Sequence, residues 1–289
     1  MRVGFVLLAA LLAARLGAAA EPDASGPAAA DKPRPRDVSP HHVRPIASPI
    51  TDHFALRGSF FPASIATDVH VDSSAAVPGT ELSAERDLGQ ANRLNQALGE
   101  LIFRIRTRNR LRVNYFGSDR NASEVLNRDI TFGGNTFHDR DVTQSELQFS
   151  MLSFTYLFSA IRTERFEVGV GLGAHLLQAE ARATDQTLME HAQSSGDGVL
   201  PTLAIDGTWR LSQRFAWTAR ANYVTANING STGSLGDYHT DVQYRWVSNF
   251  SVGLGYEMIR AQAQVTNSGT PGGFVFRVSG PEVFFRASF

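Results

Sequence analysis

FVFRVSGPEVFFRASF, residues Phe274 to Phe289, closes the chain and decides how the rest is read. Side chains of a β-strand point alternately to its two faces. By that rule Val283, Phe285, Ala287 and Phe289 share one face, while Glu282, Phe284, Arg286 and Ser288 share the other. One face is apolar and the other carries charge. A strand that stops on a bare aromatic with such a face is unusual for a water-soluble protein.

The same alternation repeats backwards through the chain. Phe250, Val252, Leu254 and Tyr256 stand against Ser251, Gly253, Gly255 and Glu257. Tyr238 to Trp246, Phe215 to Tyr223, Leu203 to Leu211, Phe166 to Leu176, Leu111 to Tyr115, Gly99 to Ile105 and Phe54 to Phe60 follow suit. In the segment Val142–Ser159 the apolar set changes phase, from Leu147, Phe149 and Met151 to Leu152, Phe154, Tyr156 and Phe158. One extra residue near Met151, a β-bulge, is the expected cause. Pro62 predicts a bulge or a break in its ladder.

Tight turns near residues 108, 162, 213 and 248 alternate with longer polar loops near 80, 128, 190, 231 and 269, the last three read as Thr184 to Asp197, Asn227 to Gly236 and Thr266 to Gly273. Short turns at one end and long loops at the other are the habit of membrane barrels with an even number of strands. The expected fold is therefore all-β: a closed antiparallel up-and-down transmembrane β-barrel over residues 53–289, with ten strands, or eight as the alternative. Aromatics on the apolar faces, among them Phe103, Tyr156, Phe166, Trp209, Phe215, Trp246, Phe250 and Phe289, crowd near the tight turns, as rings do where hydrocarbon meets headgroup.

Composition narrows the function. Net charge is −1 over 289 residues, so bulk charge offers nothing to nucleic acid. With no cysteine, disulfides, thiolate nucleophiles and Cys-based zinc sites are excluded. The apolar run Val3 to Ala14 is too short to span a bilayer and leads to Ala18-Ala19-Ala20, which reads as a cleaved signal peptide over residues 1–20. Residues 21–52, rich in Ala and Pro, read as a disordered periplasmic leader. His41-His42 within it lacks the three or four fixed ligands a metal site needs.

The terminal pattern of Val283, Phe285, Ala287 and Phe289 resembles the C-terminal signature of bacterial outer-membrane β-barrels. The chain from about residue 53 is similar to the small barrels grouped around the outer-membrane protein A transmembrane domain. That resemblance implies residence in the outer membrane of a Gram-negative bacterium, contact with outer-membrane lipids and lipopolysaccharide, and delivery by the barrel-assembly machinery. Val283, Phe285 and Phe289 would be the membrane-insertion signature. A monomer is expected, with no cofactor, no metal and no nucleic-acid partner.

If the apolar faces meet lipid, the opposite faces line the lumen. They carry Arg57, Glu100, Arg104, Arg112, Glu146, Glu167, Asp206, Arg210, Arg220, Asp241, Arg245, Glu257 and Arg286. Small barrels have interiors only wide enough for side chains, and an unpaired buried charge is costly. These residues are expected to pair into a plug. The functional reading is a non-enzymatic integral barrel, structural or binding through its loops; a narrow channel for ions or small solutes is the alternative. A hydrolase is a further alternative. Omptin-family outer-membrane proteases use Asp and His pairs at the outer rim, and Asp68-Val69-His70-Val71-Asp72 and Asp237-Tyr238-His239-Thr240-Asp241 offer His70 with Asp72 and His239 with Asp241. Elsewhere the sequence does not resemble omptins. A lipid A-modifying hydrolase would need a Ser on the same outward face as its His, and neither histidine has an obvious one.

Overall fold

Strict period-two patterning over long stretches gives long strands. The computed structural model describes residues 48–72, 79–132, 135–185, 191–228, 231–266 and 271–289. It contains ten long strands: β1 (Phe54–Val71), β2 (Arg93–Arg104), β3 (Asn109–Val125), β4 (Val142–Arg162), β5 (Phe166–Asp185), β6 (His191–Arg210), β7 (Phe215–Ile228), β8 (Ser231–Val247), β9 (Phe250–Val265) and β10 (Gly272–Ser288). Each pairs antiparallel with its chain neighbours, and β10 pairs back onto β1. The sheet is a closed transmembrane barrel. At its seam Phe54 N–H donates to Phe289 O at 3.0 Å and Phe289 N–H donates to Phe54 O at 2.8 Å. The signal-peptide stretch and residues 21–47 lie outside the described residues. Ser48–Asp52, read from sequence as the end of the leader, form a turn in which Ile50 and Asp52 are buried.

The four tight turns share one end of the barrel with the start of β1 and the end of β10. Hydroxyls tie two of them: Ser212 Oγ accepts from the Phe215 amide at 3.0 Å, and Thr163 Oγ1 from the Phe166 amide at 2.9 Å. At the other end, two expected loops are largely strand. β5 runs to Asp185 and β6 starts at His191; β7 runs to Ile228 and β8 starts at Ser231. Their polar, Gly- and Ser-rich sequence reflects strand standing in water beyond the bilayer, not loop.

That same boundary corrects the bulge expected near Met151. β4 pairs with β3 in unbroken register from Phe158 to Val142, and its only shift against β5 falls between Ser159 and Ile161. Alternation never changes phase; polarity does. Outward residues run Phe158, Tyr156, Phe154, Leu152 and then Ser150, Gln148, Glu146, Gln144, while inward ones run Thr155, Ser153 and then Met151, Phe149, Leu147. β9 turns over in the same way: Phe250, Val252, Leu254, Tyr256 and Met258 face out below Arg260, Gln262 and Gln264, and Glu257 faces in below Ile259 and Ala261. A membrane-crossing strand needs about 9–11 residues. β4 has 21 and β9 has 16, so both continue past the hydrocarbon. Below the inversion the barrel is polar inside and apolar outside; above it, the reverse.

The upper interior is an apolar core of Phe61, Phe116, Phe149, Met151, Leu235, Ile259, Phe276 and Val278. Phe149 stacks on Phe276 with ring centroids 4.2 Å apart, and Phe116 lies 6.2 Å from Phe149 and 6.3 Å from Phe276. β2 is the shortest strand, and its ladder with β3 stops at Leu98 and Phe116. The space above is filled by an insert from the β1–β2 connection: Leu82–Ser83, paired to β1, and the one-turn helix α1 (Ala84–Asp87). Glu85 fastens it, accepting the Thr67 amide at 2.9 Å and pairing with Arg120 at 2.6 Å. Gln90 Nε2 reaches Ser145 Oγ on β4 at 2.9 Å. Between them Gly89 turns the chain at φ +64°, a conformation that favours glycine.

Candidate functional site: a two-tier lumen and its mouth

The lower lumen holds a continuous ion-pair chain. Asp206 (β6) takes Arg110 Nη2 at 2.8 Å and Arg112 Nη2 at 2.6 Å, both from β3. Arg112 reaches Glu100 (β2) at 3.5 Å, and Glu100 also binds Arg220 (β7). Arg220 continues to Glu257 (β9) at 3.1 Å. His239 (β8) stands between Glu257 Oε2, 2.8 Å from Nδ1, and Asp241 Oδ2, 2.7 Å from Nε2. Arg57 (β1) ends the chain on Asp241 at 2.8 Å and on Glu282 (β10), its guanidinium 3.6 Å from the centre of the Phe284 ring. Nearer the turns, Arg104 binds Glu167 with two bonds of 2.8 and 2.9 Å. Asp52 Oδ2 accepts from Arg245 at 2.7 Å and Arg286 at 3.2 Å.

Adjacent strands place these groups because every inward position lies two residues from the next. Packing then demands partners, since leaving one such charge alone costs several kcal/mol. Gly169 makes room: a Cβ there would sit 2.5 Å from Arg110 Nη2.

Of the thirteen residues expected in the lumen, the structure brings eleven into these pairs. Two stand elsewhere. Glu146 is on the outer face of β4 above the inversion, beside Arg182 at 3.3 Å. Arg210 faces inward at the turn-end rim and joins no ion pair among the described residues. Sequence reasoning missed Arg110, folded into a presumed turn, and Asp52, assigned to the leader. It also left out Glu282, which has the same inward phase as Arg286.

The two His–Asp pairs are not assembled into one site. His70, half exposed and one residue from the end of β1, lies 2.9 Å from Asp72 Oδ1, which also accepts the Gly79 amide at 2.7 Å. This pair shapes the start of the β1–β2 connection. His239 was expected near a loop end, but β8 starts as early as Ser231, which puts the residue mid-strand and buried. Nδ1 or Nε2 of His239 and carboxylate oxygens of Glu257 and Glu282 lie within 4.8 Å of one another, which resembles a metal-ligand set. Arg57 and Arg220 already supply the cationic charge there. Val283, Phe285 and Phe289 point outward, Phe289 with 64% of its surface exposed.

Above the apolar core the barrel opens into a cavity of about 430 Å³, walled by Val69, Val71, Phe149, Leu177, Leu200, Ala261, Ala263 and Phe274 and by the bare backbone of Gly196 and Gly198.

No protein-family model matches the chain, and no curated protein matches it. Among solved structures, the chain is similar to the outer-membrane protease OmpT from Escherichia coli: TM-score 0.54, 9% identity, 82% of this chain and 96% of that one. The toluene transporter TodX from Pseudomonas putida aligns at TM-score 0.34 and 8% identity over 84% of this chain and 93% of that one. Ail, the attachment invasion locus protein of Yersinia pestis, aligns at 0.30 and 11% over 80% and 99%. At such identities the first match speaks for the fold, that of an outer-membrane β-barrel, and the other two carry no argument.

Proposed function

We propose that this chain is an integral barrel of the Gram-negative outer membrane that conducts nothing along its axis and acts, without catalysis, through the surfaces of its loop end. The observation that carries this reading is two seals in series: an ion-pair plug at membrane height and an aromatic core directly above it. Its outer belt would contact outer-membrane lipids and lipopolysaccharide, and its C-terminal strand, with Val283, Phe285 and Phe289, would be the segment read by the barrel-assembly machinery. It would work as a monomer. Against a hydrolase stands the burial of His239 beneath the aromatic core, out of reach of any substrate at the rim. Against a channel stands the continuity of the ion pairs, since transport would have to break several buried bonds at once. Refolded protein in planar bilayers tests the proposal. Flat current traces are expected up to the voltage at which the bilayer ruptures; reproducible conductance steps would replace this reading with the channel.

A further inference from the structure

We propose that the loop-end cavity binds an acyl chain of a membrane lipid, which reaches it sideways through a notch between β6 and β7. Five observations lead there, and none depends on whether the lumen below conducts.

The first is the cavity itself. About 430 Å³ falls within the 300–1,000 Å³ of small-molecule sites, and its walls are mainly apolar. The second is a gap in the barrel wall. β6 pairs with β5 as far as His191, and β7 pairs with β8 as far as Ile228. Between β6 and β7, however, the ladder ends at Leu203 and Tyr223.

The third is the cause of that gap. Successive residues of an antiparallel strand bond to opposite neighbours. The Arg210 amide bonds toward β5, to Arg165 O at 2.7 Å, so odd-numbered residues of β6 turn their amides toward β7. Pro201 is the next such residue after Leu203, and proline has no N–H to give. The ladder stops where its donor is missing.

The fourth is location. Val199, Leu203 and Tyr223, exposed by 61%, 69% and 53%, carry the lipid-facing belt up both sides of the notch. The foot of the notch thus lies at the top of the belt, where Val199 is level, through its partner Leu176, with Leu152 on β4. Unpaired strand edges there are costly against hydrocarbon unless something occupies the opening. The early end of the β2–β3 ladder is filled by the Leu82–Asp87 insert; no described segment fills this one. The fifth is room inside. Gly196 and Gly198 have the inward phase of Leu200 and Thr202, and a Cβ on either would meet nothing within 4 Å. Leu200 leans across the floor toward Gly233 on β8, where a Cβ would lie 3.1 Å from it.

The test uses the full barrel in nanodiscs containing a phosphatidylcholine with a diazirine midway along one acyl chain. After irradiation, adducts are expected on Leu177–Ala181 and Ala261–Ala263 as well as on belt residues such as Leu254. Gly198→Phe should cut the cavity adducts by about tenfold or more, the loss of roughly 1.4 kcal/mol of binding, and leave belt adducts unchanged. Ala263→Phe, at an exposed lining position, repeats the test if the first variant does not insert. Labelling confined to the belt, or cavity adducts indifferent to both substitutions, would overturn the site. A second arm supplies a diazirine fatty acid from water to unlabelled nanodiscs. Cavity labelling in that arm with the phospholipid arm silent would overturn the lateral route.

Discussion

Pro62 and Pro281 stand opposite each other across the β1–β10 seam. Phe60 pairs with Val283 below them and Ser64 with Ser279 above, in one unshifted register, yet no pairing joins residues 61–63 to 280–282. The bulge that Pro62 suggested is absent; the break is real. Phe54 and Phe289 exchange backbone bonds, so even residues of β1 and odd residues of β10 face the seam. Both prolines thus occupy a bonded pair that has no donor on either side. A backbone bond is worth about 1 kcal/mol, so losing two should speed local opening by roughly tenfold or more. In hydrogen–deuterium exchange, peptides across 60–64 and 279–283 should exchange faster than 54–59 and 284–288 of the same strands. Uniform protection along the seam would contradict this.

Arg220 holds Glu100 and Glu257 together from opposite sides of the lumen, and all three are buried. Removing Arg220 leaves Glu100 with only Arg112, 3.5 Å away, and Glu257 with only His239. Arg220→Met should cost about 3–5 kcal/mol. The triple variant Glu100→Gln, Arg220→Met, Glu257→Gln removes the stranded charge and should recover a large part. Urea unfolding of folded barrel, followed by its heat-modifiable mobility on gels, measures both. A single variant as stable as the parent would show that the pairs contribute little.

The lower tier was legible because lipid enforces one rule on every strand: apolar out, polar in. Ten strands, most of the inward charges and the outward Phe285 and Phe289 follow from period-two counting. Above the bilayer the rule inverts, and a reading that assumed one sense throughout turned the inversion at Met151 into a bulge and the strand ends at 184–185, 191–197, 227–228 and 231–236 into loops. Arg110 was hidden because a turn and a strand start look alike in Thr107-Arg108-Asn109-Arg110. The cavity was illegible, being made by residues from seven strands whose heights depend on barrel shear. Pro201 was the one local clue to the notch, and only the direction of neighbouring amides gives it meaning.

Glu85 ties the insert to two strands at once, through Thr67 on β1 and Arg120 on β3. A charge-assisted bond between partly buried groups contributes about 1.5–3 kcal/mol, enough to decide whether a segment anchored by one short helix stays folded in. Glu85→Ala should release it while the barrel persists. Trypsin would then cut after Arg86 or Arg93 in the variant and spare both in the parent, with gel mobility of the folded barrel unchanged. Equal resistance of the two proteins would place the anchorage in Leu82 and Gln90 instead.

Two plugs in series need not be equally important for stability and for closure. Phe149 and Phe276 are the stacked centre of the upper core, and truncating either should cost about 3–5 kcal/mol, the transfer of the ring plus the cavity left behind. A path through a barrel, however, conducts only if every constriction along it is open. Below these rings Arg57, Arg220, Glu257 and Glu282 still fill the section with bonded side chains. Phe149→Ala with Phe276→Ala should therefore lower the urea midpoint sharply and leave planar-bilayer traces flat. Conductance steps in that double variant would mean that the aromatic tier alone keeps the lumen shut, and that the ion pairs beneath it leave a continuous aqueous path.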